Sequence, residues 1–238
     1  MECWAHSLGN CGGGRSREHY ISDGIFDGAT VTAFGLPWCK DEPVTIGLAS
    51  ATSKILCKRH NEALSSFDAE AAKLSRFISS NIVHEPLAHT DITLQGPLIE
   101  KWALKTFLNL GFIGALDRGV SRLTPPSNLV KSLFASDKLR NGLGLYFITG
   151  GVSNDGFKVG LAWNAIVNRK TGRPDGMTFT FNGLRLAVTA ISLRAEAQIR
   201  GLGRLKGFDY SAAKVLYHPP NIIMASETAG NKRINLEW

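Results

Sequence analysis

All four cysteines of the chain, Cys3, Cys11, Cys39 and Cys57, fall in its first quarter, and the last opens the string Cys57-Lys58-Arg59-His60-Asn61. A Cys-x-x-His at the start of a helix offers two ligands from one knuckle, half of a tetrahedral zinc site. In a chain with no sign of export, thiols are expected to serve a metal rather than a disulfide framework. The other two ligands should come from the N-terminal segment. Cys3 and Cys11 are the softest pair there, although their spacing is longer than the usual two to four residues. His6 makes a second Cys-x-x-His with Cys3, so the set Cys3, His6, Cys57 and His60 stays open. Cys39 is a further thiol in reach, but after Leu36-Pro37-Trp38 it reads as a small buried hydrophobe.

Residues 1–57 are rich in glycine and carry short apolar pieces at 31–34, 44–48 and 55–56, which read as small strands and loops. From Arg59 the period changes. Leu64, Phe67, Ala71, Leu74 and Ile78 recur at steps of three and four and predict a helix over 59–80. The proline-containing stretch 84–97 reads as a connection, followed by a helix over 98–116 and a short one near 129–134. From Leu143 onward, runs at 145–148, 158–166, 177–181 and 184–193 predict antiparallel hairpins. No repeat of fixed period is present.

Over 238 residues, 44% hydrophobic and 20% charged content is what a folded globular chain carries. A formal charge of +7 and a pI near 9.4 favour a polyanionic partner, because Lys and Arg that neutralise phosphates release counterions. The start Met-Glu-Cys-Trp lacks the basic patch and apolar run of a secretory leader, so a cytoplasmic location is expected. The most apolar helical stretch, 102–116, is interrupted by Lys105 and Asn109 and is shorter than the roughly 20 residues that cross a bilayer, so no membrane span is expected. The basic turn 169–173, with Arg194, Arg200, Arg204 and Lys206, reads as a solvated face. His84, His89 and His218 have no partner at ligand spacing and read as structural. Asp68 reads as a solvated helix residue or one that holds a nearby backbone group.

Arg17-Glu18-His19-Tyr20-Ile21, taken with Cys57-Lys58-Arg59-His60-Asn61, resembles the HNH (ββα-metal) endonucleases, in particular the subgroup whose active-site hairpin is held by a zinc knuckle. The resemblance covers residues 3–68. It departs from the family pattern at His60, where a cysteine is more usual, and at Ser22, where a proline is common. It implies an α+β chain: a zinc-stapled ββα-metal unit over 1–83, then a helical and antiparallel β region over 98–238. By the same resemblance His19 is the general base, Glu18 and Asn61 hold a catalytic Mg²⁺ or Mn²⁺, and Cys57 and His60 are half of the structural zinc site. Arg17, Lys58 and Arg59 are the cations expected to face nucleic acid, with DNA as substrate.

The chemistry is consistent with those residue types. Phosphodiester hydrolysis needs an activated water, and an imidazole can take its proton near neutral pH. A hard divalent ion held by one carboxylate and one amide oxygen keeps most of its coordination sphere for water and phosphate. Free N–H groups at the start of the helix beginning at Arg59 are expected to add positive potential. Two other readings stand beside cleavage: a zinc-stabilised nucleic-acid-binding protein that does not cut, and a function residing in residues 98–238.

Overall fold

The computed structural model describes residues 2–80, 90–116, 120, 122–137, 139, 143–150, 161–190, 195–205, 208–224 and 232–238. Between β1 (Arg15–His19) and α1 (Lys58–Glu62) lie β2 (Thr30–Ala33), β3 (Val44–Gly47) and β4 (Thr52–Cys57). β2 and β3 form a separate antiparallel hairpin, while β1 pairs with β4, Arg15 opposite Cys57 and His19 opposite Thr52. The chain then enters α1 directly, which gives a ββα order with the β2–β3 hairpin inserted between the paired strands.

The helix expected over 59–80 is two helices, α1 and α2 (Ser65–Ser79). At the join the Leu64 N–H donates to the Asn61 carbonyl at 3.0 Å, a tightened turn that redirects the axis. The apolar face lies where its period placed it, with Leu64, Phe67, Ala71, Leu74 and Ile78 all buried.

The stretch 84–97 differs from its reading as a connection. Residues 84–89 lie outside the described residues, but β5 (Thr90–Gln95) is a strand and runs straight into α3 (Gly96–Ile113). Beyond α4 (Ser127–Ala135), β6 (Gly144–Thr149), β7 (Leu161–Val167), β8 (Pro174–Phe181) and β9 (Leu184–Thr189) supply the expected antiparallel strands. After α5 (Ala195–Arg200) come the short β10 (Arg204–Leu205) and β11 (Phe208–Asp209), then β12 (Lys214–Tyr217), β13 (Asn221–Met224) and β14 (Lys232–Glu237). Among the described residues the main sheet has the order β12-β6-β9-β8-β7, all antiparallel. β5 pairs in parallel with β14, whose other edge takes β13. That partner lies near the far end of the sequence, so no local pattern announced β5.

α3 is the axis of the molecule. Trp102, Leu104, Phe107, Leu108 and Leu110 are fully buried around its circumference, as befits a helix covered on all sides. One hydrophobic cluster runs from Trp4 and Ile55 through α3 to Leu186 and Leu236, so residues of 1–83 and of 98–238 share a core. A smaller cluster, with Tyr146, Ile166, Phe208 and Tyr210, covers the other face of the main sheet. Both faces of β6 are therefore apolar and covered, and five of its six residues are buried. No described helix is long and apolar enough to cross a membrane.

Candidate functional site

The N-terminal segment folds back over the β4–α1 junction. Trp4 donates its N–H to the Ile55 carbonyl at 3.0 Å, a 3₁₀ turn spans His6–Leu8, and Gly9 closes it at φ 73°. This reversal brings Cys3 and Cys11 to the same place despite their long spacing. Next, Gly12 to Gly14 wrap the start of α1. The Lys58 N–H donates to the Gly14 carbonyl at 2.9 Å and the Arg59 N–H to the Gly12 carbonyl at 3.2 Å. Those two N–H groups are occupied, a correction to the expectation of a free, anion-attracting helix start. Gly13 has φ +76°, and a Cβ there would meet the Lys58 Cβ at 2.9 Å, so the wrap requires glycine.

Cys3, Cys11, Cys57 and His60 converge, with all their ligand atoms within 4.8 Å of one another. His60 Nδ1 lies 3.2 Å from Cys57 Sγ, 3.4 Å from Cys3 Sγ and 3.8 Å from Cys11 Sγ. A tetrahedral zinc with ordinary Zn–S and Zn–N bonds sets its nitrogen and sulfurs ~3.6 Å apart, and the three separations bracket that value. The second ring nitrogen is held too: His60 Nε2 is 2.7 Å from Asn10 Oδ1, the outer partner that fixes a metal-ligating imidazole. The Phe134 ring of α4 packs on His60 with centroids 5.3 Å apart.

Electrostatics also favour a cation. Burial pushes the Cys57 thiol up, but the backbone N–H groups of Gly12 and His60 overcome it and hold it below its ordinary value. Cys3 is raised by burial. Cys11 is pushed up to about 12, by burial first and then by its hydrogen bond to, and the charge of, Cys3, with Cys57 adding to both. Three sulfurs this close cannot all ionise unless a dication neutralises them, and a three-thiolate, one-imidazole set is a structural zinc donor set. These residues can therefore hold a metal ion such as zinc. Among the described residues they form the only such cluster. The alternative ligands fall away: His6 Nδ1 sits 3.0 Å from the Cys3 carbonyl at the surface, and Cys39 is buried in the turn after β2, as its reading as a hydrophobe expects.

The catalytic set is placed differently from expectation. Glu18 faces the core, 4% exposed, with Oε1 2.6 Å from Lys105 Nζ and 3.1 Å from Asn109 Nδ2. Burial pushes the Glu18 carboxyl above the usual carboxylate range, against the pull of Lys105. Asn61 donates its amide to Ser16 Oγ and to the Arg17 carbonyl, both at 2.9 Å, and so ties α1 to β1. Glu18 and Asn61 thus serve separate structural bonds, and the expected Mg²⁺ or Mn²⁺ site between them does not fit. The reason is strand alternation: neighbours on β1 point to opposite faces, and Glu18 takes the buried one.

His19 lies at the open end of β1. The Asn109 amide donates to its carbonyl at 3.1 Å, and the Tyr20 N–H donates to the Ala51 carbonyl at 3.2 Å, which fixes the backbone on either side. The side chain is 28% exposed and its Nε2 lies 4.0 Å from Asp23 Oδ2. That nitrogen is covered and has no hydrogen-bond partner. Among the described residues His19 and Asn61 share no hydrogen bond. Arg17, Lys58 and Arg59 are exposed, as are Arg15 and Lys54 on the same β1–β4 ribbon. Among these cations the described ion pair is Lys58 with the exposed Glu62, at 3.8 Å.

Sequence reasoning passed over the residues that hold β1 in place. Lys105 and Asn109 read as interruptions of an apolar helix, yet Lys105 binds both Glu18 and Asp68, at 2.6 and 2.7 Å. Asp68 is therefore an ion-pair partner. Ser22 donates its hydroxyl to Asp68 and accepts the Trp102 indole N–H at 3.0 Å, a role that a proline could not fill. The available signal was the charge itself, since an ammonium in the middle of a buried helix requires a carboxylate from elsewhere. Arg194, Lys206, His84 and His89 lie outside the described residues. No family model matches the chain, and no curated protein or solved structure matches it.

Proposed function

We propose that the chain is a zinc-stapled ββα endonuclease that hydrolyses phosphodiester bonds of DNA, with His19 as the general base. The observation that carries this reading is the pairing of β1 with β4 immediately before α1, which leaves the half-buried His19 at the end of a strand whose partner runs into Cys57 and His60. Asp23 is the carboxylate nearest the imidazole, 4.0 Å from Nε2. With Nε2 turned toward Asp23, Nδ1 is the nitrogen that takes the proton from water. Arg17, with Arg15 and Lys54, faces the phosphates. The reaction is proposed to need Mg²⁺ or Mn²⁺, without Glu18 as a ligand.

A second reading, a zinc-stabilised nucleic-acid-binding protein that does not cut, is favoured by the commitment of Glu18 to Lys105 and of Asn61 to β1. Incubation of plasmid and oligonucleotide substrates with Mg²⁺ or Mn²⁺ separates the two. Under the proposal the wild type cuts, and His19→Ala abolishes cleavage while leaving zinc content and DNA binding unchanged. Fully zinc-loaded wild type that binds DNA and never cuts it supports the second reading instead.

A further inference from the structure

Immediately after His19 the chain borders a large open cavity of about 850 Å³, lined mainly by apolar side chains such as Tyr20, Ile21, Phe34, Trp38 and Trp163, with Asp27 and Asn182 among its polar groups. Two large rings stand on its rim, Phe34 58% exposed and Trp38 42% exposed. The turn that carries them is well anchored. Leu36 and Cys39 are buried beneath it, the Gly35 N–H donates to the Cys39 carbonyl at 2.8 Å, and the Cys39 N–H donates to the Leu36 carbonyl at 3.0 Å. With the two inward residues fixing the turn, Phe34 and Trp38 are held outward as rings on a rigid support.

Exposed cations stand on the strand whose end leads into the cavity wall at Tyr20. Arg15, Arg17 and Lys54 are exposed along the β1–β4 ribbon and have no side-chain ion pair among the described residues. At ~3.3 Å per strand residue, Arg17 stands roughly 10 Å before Tyr20, the first residue of the cavity wall. A mainly apolar, aromatic-rimmed cavity at the end of a strand that carries exposed cations complements a flat heterocycle attached to a phosphate.

We infer that this cavity receives an unstacked nucleobase of single-stranded DNA, with Phe34 and Trp38 as stacking platforms and Arg15, Arg17 and Lys54 on the adjoining phosphates. The inference rests on the DNA-cutting reading for its placement beside His19, and it narrows the substrate to strands with an unpaired base. In a duplex both faces of every base are covered by its neighbours, so the same rings gain nothing from it. Aromatic stacking contributes about 1–3 kcal/mol per base, or roughly 5- to 150-fold in affinity.

The test is fluorescence anisotropy with zinc-loaded His19→Ala protein, without added Mg²⁺, using labelled oligothymidylate and a mixed-sequence duplex of equal length. Tighter binding of the oligothymidylate is expected. Trp38→Ala and Phe34→Ala are each expected to weaken it at least about 5-fold while leaving duplex binding unchanged. Both side chains are exposed, and unchanged zinc content and melting temperature verify that the variants fold. Equal affinity for both probes, affinities unaffected by the variants, or no binding of either probe overturns the inference. Cleavage by the wild type is scored separately. A protein that cuts duplex without strand preference removes the base cavity and keeps the nuclease reading, and one that prefers single strands but never cuts does the reverse.

Discussion

Lys105 Nζ on α3 lies 2.6 Å from Glu18 Oε1 on β1, with 1% and 4% of the two side chains exposed. This pair fixes the strand that presents His19 to the helix at the centre of the core. Removing one partner of such a pair strands a charge in a medium that cannot solvate it. Lys105→Met is therefore expected to cost about 3–5 kcal/mol in urea unfolding. Glu18→Gln keeps an acceptor for Lys105 and Asn109 and should cost far less. A Lys105→Met variant as mild as a surface substitution contradicts this role.

The same carboxyl makes stability depend on pH. Glu18 has its folded-state pKa raised by burial above the unfolded value, so the folded protein holds that proton more tightly. The resulting stability is fully present below the unfolded pKa and is lost as pH rises through the folded pKa. Wild type should therefore lose stability relative to Glu18→Gln as pH climbs out of the carboxylate range. Urea midpoints of the two proteins across that range provide the comparison, and a difference that does not change with pH rules the effect out.

The candidate metal cluster separates the cysteines into two classes. Cys57→Ser should lose stoichiometric metal and lower the melting temperature. Cys39→Ser, outside the cluster, should keep both the metal and the fold of the N-terminal segment. Zinc affinity should fall in acid, since the thiols must give up protons to bind, Cys11 above all with its pKa near 12. Metal loss from both serine variants, or from neither, is the contrary outcome.

Asn61 links α1 to β1 through a single amide group with two acceptors, Ser16 Oγ and the Arg17 carbonyl. Asn61→Ala is expected to cost about 1–3 kcal/mol and to speed amide hydrogen exchange in β1 ahead of the rest of the fold. Asn61→Asp should not rescue it, because an ionised carboxylate cannot donate. Exchange in β1 that matches wild type dismisses the linkage.

What could be read from the sequence divides along a physical line. Cys57 and His60 were legible because ligation demands particular atoms at a short spacing. The buried face of α2 was legible because burial on one side imposes a period, and α3 was legible as a helix from its run of apolar residues. Glu18 was misassigned because its partner, Lys105, is remote in sequence, and only tertiary packing decides which side of β1 meets the core. β5 was missed because its ladder is made with β14, and α1 parts from α2 through a local turn that does not disturb the apolar period. Cys3 and Cys11 were picked for softness alone, and the 3₁₀ turn and glycines that make their long spacing workable carry no strong sequence signature.

X-ray absorption at the zinc edge tests the stapled unit most directly. The purified protein should hold one zinc, with three sulfurs at about 2.3 Å and one nitrogen at about 2.0–2.1 Å in its first shell. Absence of stoichiometric zinc, or a first shell with fewer than three sulfurs, would mean that Cys3, Cys11, Cys57 and His60 do not form the centre on which the position of His19 depends.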